Sequence, residues 1–188
     1  AYSSGDILGF LNSDDIYTQG ALVRIGTDAC AVTNDRIMLV YPVEDFGYCT
    51  PVTHLGLQNH SIYSLLAGLS YFHQPGVFWY RSVWVDAHGF DISYRYCFDR
   101  KFFMKALAYG ARTAFFSGPA LSKFRWHAES KSFQEASVGF GVEIDRLLRE
   151  LGPGLVGSGL LKRQDLRTAL ALRRQIAMDL MRSRLLCR

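Results

Sequence analysis

Asp14 and Asp15 close the apolar run Ile7-Leu8-Gly9-Phe10-Leu11 through the polar pair Asn12-Ser13. A buried strand that ends in adjacent carboxylates hands hard oxygen ligands to a divalent cation at its C-terminal edge. A cation held there can bridge two phosphates and offset the charge that grows on a diphosphate leaving group. The same residues also suit an ordinary turn whose Asn, Ser and Asp side chains cap a helix. A second stretch, from Gln74 through Asp99 to His127, adds a further carboxylate and a histidine. Together the two stretches suggest a metal-dependent transferase acting on a diphosphate-linked donor.

These residues need elements to position them. Ile7 to Leu11 reads as a strand buried on both faces, in the manner of an α/β sheet. Thr18 then caps a short helix that begins with Gly20-Ala21-Leu22. Residues 27–42 suggest one or two strands joined at Thr33-Asn34-Asp35, and residues 43–60 read as loop. A short helix over His60–Leu69 precedes a strand at Val77–Tyr80, and Val83–Ala87 forms a helical turn ended by Gly89. Asp99–Tyr109 carries a helical stripe of Phe102, Phe103, Ala106 and Leu107, closed by Gly110. Thr113–Phe116 and Ala120–Phe124 are strand candidates. A helix is expected over Glu135–Leu151, then a glycine-rich break at 152–159, then a last helix from about Leu160 to Leu186.

The chain has 188 residues, 49% of them hydrophobic and 20% charged, enough for one domain with a substantial core. Its net charge of +4 sits at one end: residues 161–188 carry eight Lys/Arg against two Asp/Glu. Cys30, Cys49, Cys97 and Cys187 are scattered without metal-ligand spacing, so a disulfide scaffold or zinc site is not expected and reduced thiols in the cytoplasm are the simplest reading. No apolar run is long enough to span a bilayer and no signal peptide opens the chain. Nucleic-acid binding is not expected, because the body lacks a basic patch interleaved with aromatics.

Gly5 to Tyr17 resembles the metal-binding motif of family 2 glycosyltransferases, where a strand ends in an acidic pair. His73-Gln74-Pro75-Gly76-Val77-Phe78-Trp79-Tyr80-Arg81 is similar to that family's Gln-Pro-x-x-Phe-x-x-Arg segment. Gly89-Phe90-Asp91, Tyr94 to Asp99, Phe124 to His127 and Ser130-Lys131-Ser132 follow in the family's order, so the resemblance covers roughly residues 3 to 133. It implies a GT-A fold, a mixed α/β sheet flanked by helices, formed here by residues 1–133 with a helical extension at 134–188. It also implies that the nucleotide-binding N-terminal part of such a domain is missing.

The resemblance further implies an inverting transfer of a sugar from a nucleotide-sugar donor, UDP-linked by expectation, to a glycan, lipid or other hydroxyl acceptor in envelope or exopolysaccharide synthesis. Asp15 becomes the expected ligand of Mn²⁺ or Mg²⁺, Asn12 and Asp14 donor contacts, and His127 a third ligand or a phosphate contact. Asp99 becomes the base that takes the acceptor proton, with helix capping as its ordinary alternative. Gln74 and Trp79 are assigned to the acceptor side, although a tryptophan there also suits a core. His54, His60, His73 and His88 are read as structural or surface residues. The family usually has acidic, aromatic or apolar residues after the base; here Arg100-Lys101 follows, a pair that either favours an anionic acceptor, lowers the basicity of Asp99, or simply faces solvent.

The amphipathic basic segment 160–186 can dock on the domain, self-associate or lie peripherally on the inner face of an anionic membrane. A non-catalytic assembly module working through that helix is the alternative to an enzyme. A nucleotidyl- or phosphotransferase is a third class, since acidic pairs serve there too.

Overall fold

The computed structural model describes residues 3–48, 51–54, 62–67, 70–129 and 139–186, with side chains to 175. Two four-stranded mixed sheets carry the fold. In the first, β1 (Ile7–Gly9), β6 (Val77–Tyr80), β3 (Ile37–Val40) and β7 (Arg112–Phe115) lie in that order, with only the β3–β7 pair parallel. The second runs β2 (Ile16–Tyr17), β8 (Ser122–Trp126), β4 (Val43–Gly47) and β5 (Thr53–His54), with β4 and β8 parallel.

Period-2 alternation explains how the first sheet is buried on both sides. Met38, Val40, Val77 and Trp79 face one core; Leu39, Phe78 and the adjacent Tyr41 face the other. Helix α1 (Ala21–Cys30) covers the second face through Ala21, Ile25 and Ala29, which recur at one-turn spacing. The first face is covered by α2 (Ile62–Ala67), α4 (Phe98–Ala108), α5 (Gly139–Gly157) and α6 (Arg163–Leu186), with α3 (Arg81–Asp86) beside them. Ile144, Leu147, Leu148, Leu155, Leu161 and Ala169 join the same buried cluster as the sheet residues. The C-terminal helices therefore complete the core that the sheet begins. This is the mixed α/β architecture with flanking helices that the sequence pattern calls for.

Several local expectations are corrected. Among the described residues β1 pairs with β6 alone and is partly exposed, so it is not buried on both faces. Thr18 does not cap α1: its hydroxyl donates to Ala120 O at 3.0 Å, and Gly20, in the left-handed region at φ 78°, occupies the cap. Residues 27–42 hold the end of α1 and a single strand, and the supposed loop 43–60 contains β4 and β5. The break before α6 comes later than expected, since α5 continues through Pro153 to Gly157 and only residues 158–162 separate it from Arg163. A Cβ at Gly152 would sit 2.6 Å from a Leu166 methyl carbon, so this glycine serves close helix packing and not a break. Helix α6 docks on the core through Ala169 and the partly buried Leu166, Leu170 and Leu172, and Arg173 pairs with Asp145 at 3.0 Å. Among the described residues no helix is long and apolar enough to cross a membrane.

Candidate functional site

A cleft of about 760 Å³ is lined by the turn after β1, by β4 and β5, by the segment before β6, by the start of α4 and by β8. Its acidic wall is the turn Asn12-Ser13-Asp14-Asp15, closed by Asp15 N donating to Asn12 O at 3.2 Å. The Asn12 amide then donates to Asp15 Oδ2 and to Gln74 Oε1, both at 3.1 Å, while Gln74 Nε2 donates to Phe10 O. Asp15 Oδ1 accepts from Arg125 N of β8 at 3.0 Å. Both oxygens of Asp15 are thereby engaged and the residue is 4% exposed; burial raises its pKa, although the Arg125 and Asn12 hydrogen bonds oppose this.

Asp14 behaves differently. Its side chain lines the cleft, and Oδ2 meets His127 Nε2 at 2.9 Å, with about a third of each side chain exposed. The resemblance favoured Asp15 as the ligand, yet of the two carboxylates it is Asp14 that reaches the cleft. Gln74 also lines the cleft, but its amide is committed to Asn12 and Phe10, which makes it a brace for the acidic turn. Gly76 allows the short 3₁₀ turn Gln74–Gly76 to sit against β3 and β4, since a Cβ there would lie 2.6 Å from Tyr41 O.

A second wall is the start of α4. Asp99, in its first turn, lines the cleft and accepts from Arg100 N at 2.6 Å. Burial pushes its carboxyl above the usual range, against the lowering influence of the Arg100 backbone and charge. The segment leading into Asp99 is gripped from α5: Glu143 accepts from Arg95 N at 2.7 Å, Tyr96 N at 2.8 Å and Cys97 N at 2.7 Å. One carboxylate thus satisfies three backbone donors just ahead of a helix, where such donors lack intrahelical partners and negative charge is favoured.

The two cations after Asp99 part company. Arg100 lines the cleft and donates to Leu65 O at 3.3 Å. Lys101 is 8% exposed and pairs with Asp91 at 2.7 Å and Glu150 at 2.6 Å, locking α4 to α5. Trp79 is corrected: at 1% exposure it stacks with Trp84 and packs on Phe102 in the core, with no part in the cleft.

Sequence reasoning missed a third group. Asp45, His54 and His73 all line the cleft, with His54 Nε2 at 2.8 Å and His73 Nε2 at 3.1 Å from separate oxygens of Asp45. Burial raises the Asp45 pKa, but the hydrogen bonds from His73 and His54 prevail and hold it at about 2. The available signal was the alternation of Val43, Asp45 and Gly47 on a strand that had been read as loop. His60, the predicted helix start at Glu135 and the Ser130-Lys131-Ser132 motif lie outside the described residues.

No protein-family model matches the sequence and no curated protein matches it. The fold does match solved structures, among them "Crystal structure of S. aureus TarS 1-349 in complex with UDP-GlcNAc". That match has a TM-score of 0.65 at 15% sequence identity and covers 94% of this chain and 50% of that one. The chain spans about half the length of that structure, and the likeness is one of fold.

Proposed function

We propose that the cleft transfers a sugar from a nucleotide-sugar donor, UDP-linked, to a hydroxyl acceptor on a glycan or lipid, with inversion at the anomeric carbon. The observation that carries the reading is that one cleft is lined both by the Asp14–His127 pair and by Asp99, a carboxylate of raised pKa. The neighbouring fold belongs to a glycosyltransferase solved with UDP-GlcNAc, which supports the same class.

In this reading Asp99 takes the proton of the acceptor hydroxyl as the acceptor oxygen bonds to the anomeric carbon. The bond from that carbon to the diphosphate oxygen breaks, and the nucleoside diphosphate leaves. A pKa above the ordinary carboxylate value makes the ionised Asp99 carboxylate a better base. Arg100, beside it on the cleft wall, offers positive charge to an anionic acceptor. Asp14 presents a carboxylate oxygen of the kind that binds Mn²⁺ or Mg²⁺, with the His127 nitrogen 2.9 Å from it. When bound, such an ion supplies charge neutralisation for the leaving diphosphate. Asn12, Asp15 and Gln74 hold the acidic turn in place around that pair.

The test is calorimetric titration of UDP into the chain with and without Mn²⁺. Metal-dependent binding that is lost in Asp14→Asn and kept in Asp99→Asn supports the two-wall reading; binding that ignores both the metal and Asp14 removes it. Product analysis then separates the classes, since release of pyrophosphate or transfer of phosphate would assign a nucleotidyl- or phosphotransferase instead.

A further inference from the structure

The cluster of Asp45, His54 and His73 has no task in sugar transfer as derived above. Its three side chains come from separate elements: Asp45 from β4, His54 from β5, and His73 from the residue before the 3₁₀ turn. Each offers one ligand atom, and these atoms lie within 4.8 Å of one another. Among the described residues this is the one group of three or more His, Cys, Asp or Glu side chains so arranged. We propose that Asp45, His54 and His73 form a second metal site that binds a divalent transition ion of the zinc class, distinct from the Asp14–His127 pair.

Donor chemistry separates the two sites. Two imidazoles and one carboxylate suit Zn²⁺ or Co²⁺, whereas Mg²⁺ and Mn²⁺ prefer oxygen. A bound zinc ion needs donor atoms about 2.0–2.2 Å away, so a tetrahedral ion requires its ligand atoms a little over 3 Å apart. The observed separations of 2.8 and 3.1 Å run from the two imidazole nitrogens to separate oxygens of Asp45, and the three ligand atoms lie within 4.8 Å of one another, so an ion would draw the imidazoles together around one carboxylate. Asp45 is 6% exposed, so its orientation is fixed by packing, and the two imidazoles approach it from the cleft wall. Three protein ligands leave a fourth position. Because all three residues line the cleft, that position is available to an oxygen of water or of an anionic or hydroxyl-bearing ligand within it.

The probe is Co²⁺, titrated into the full 188-residue chain in the absence of nucleotide and followed by its visible ligand-field absorption. Zn²⁺ is then added as competitor, with affinity read against a chromogenic chelator. One Co²⁺ per chain, displaced by Zn²⁺, is expected. His73→Ala and, on the more exposed rim, His54→Gln should each weaken binding by at least the roughly 10–100-fold that loss of an outer-shell partner already costs. Asp14→Asn and His127→Ala should leave it unchanged, and far-UV circular dichroism shows which variants are folded. Absence of binding by the folded parent, unchanged affinity in a folded His54→Gln variant, or loss of binding in Asp14→Asn overturns the proposal. None of these readouts uses turnover or UDP, so failure here leaves the transfer reading standing, and the reverse also holds.

Discussion

Asp15 and Asp99 are both carboxylates that burial pushes above their ordinary pKa, but the chain holds them by opposite means. Asp15 spends one oxygen on Asn12 and the other on the backbone of β8, so its charge ties a turn to a sheet. Asp99 is held by backbone N–H groups of its own helical turn and faces the cleft. A carboxylate whose oxygens are occupied braces its surroundings; one that keeps a lone pair toward a cleft can accept a proton. Two acidic residues whose pKa burial shifts in the same direction are therefore held differently, and the difference lies in their hydrogen-bond partners.

Asp99→Asn tests this most severely. Turnover should fall by roughly 10²–10⁴-fold, the usual contribution of a general base. Stability should not fall with it. Because the folded pKa of Asp99 is raised, its carboxyl costs stability at pH above its unfolded pKa, and a neutral Asn removes that cost. A melting temperature equal to or above the parent's, with turnover lost, is the expected pair of results; retained turnover would remove Asp99 as the base. Asp15→Ala should show the converse for stability. It leaves Arg125 N and the Asn12 amide without their acceptor, at a cost of about 1–3 kcal/mol, from which relief of the buried charge subtracts a part. An unchanged melting temperature in that variant would dissolve the contrast.

The second difference is where the support comes from. The acidic turn is held by the backbone of β8 and by Gln74 of the 3₁₀ turn, whereas the approach to Asp99 is held by Glu143, from a helix 44 positions later in the chain. Glu143→Ala frees three backbone N–H groups, two of them part-buried, and should destabilise the fold by about 2 kcal/mol. Turnover per folded molecule should fall too, since the residue ahead of α4 sets where Asp99 sits. Denaturant unfolding together with rates measured well below the transition separates the two effects. Glu143→Gln, which keeps an acceptor oxygen, should fall between parent and Ala variant. A Glu143→Ala chain with full specific turnover would show that α4 holds Asp99 without help from α5.

What the sequence disclosed follows the same division. The strand into Asn12-Ser13-Asp14-Asp15, the strand Val77–Tyr80 and the helix beginning near Asp99 were legible because each is set by local period and turn chemistry. Which of Asp14 and Asp15 faces the cleft was not, because that depends on Arg125, 110 residues away from Asp15. Trp79 reads equally as an acceptor platform or as core, and only its neighbours Trp84 and Phe102 decide for the core. The His54–Asp45–His73 group was hidden by polar residues that made β4 and β5 look like loop. Pro153 and its glycines signalled a break locally, yet burial of Leu155 and the close packing of Gly152 on Leu166 keep α5 continuous.

The smallest expected effect concerns pH and separates activity from fold. Asp99 must be ionised to act, so turnover should rise with pH through its raised pKa, and the acid limb of the rate profile should lie above the ordinary carboxylate value of 3.8. The clasp between α4 and α5 titrates in the other direction. The Lys101 ammonium, with Arg146 and Tyr94, holds Glu150 at about 2, below its ordinary value of 4.5. A carboxylate depressed in the folded state contributes stability that is present above its unfolded pKa and is lost as pH falls through the folded one. Glu150 is about a third exposed, so solvent screens the contribution and its loss should be gradual. Lowering the pH toward the unfolded-state carboxylate value of 4.5 should therefore depress turnover while most of the clasp's stability remains. Lys101→Gln removes the main cause of the depression and should move the onset of acid destabilisation upward, leaving the rate profile's limb where it was. A rate limb that moved together with the stability limb in that variant would mean that the clasp, and not Asp99, sets the acid dependence of turnover.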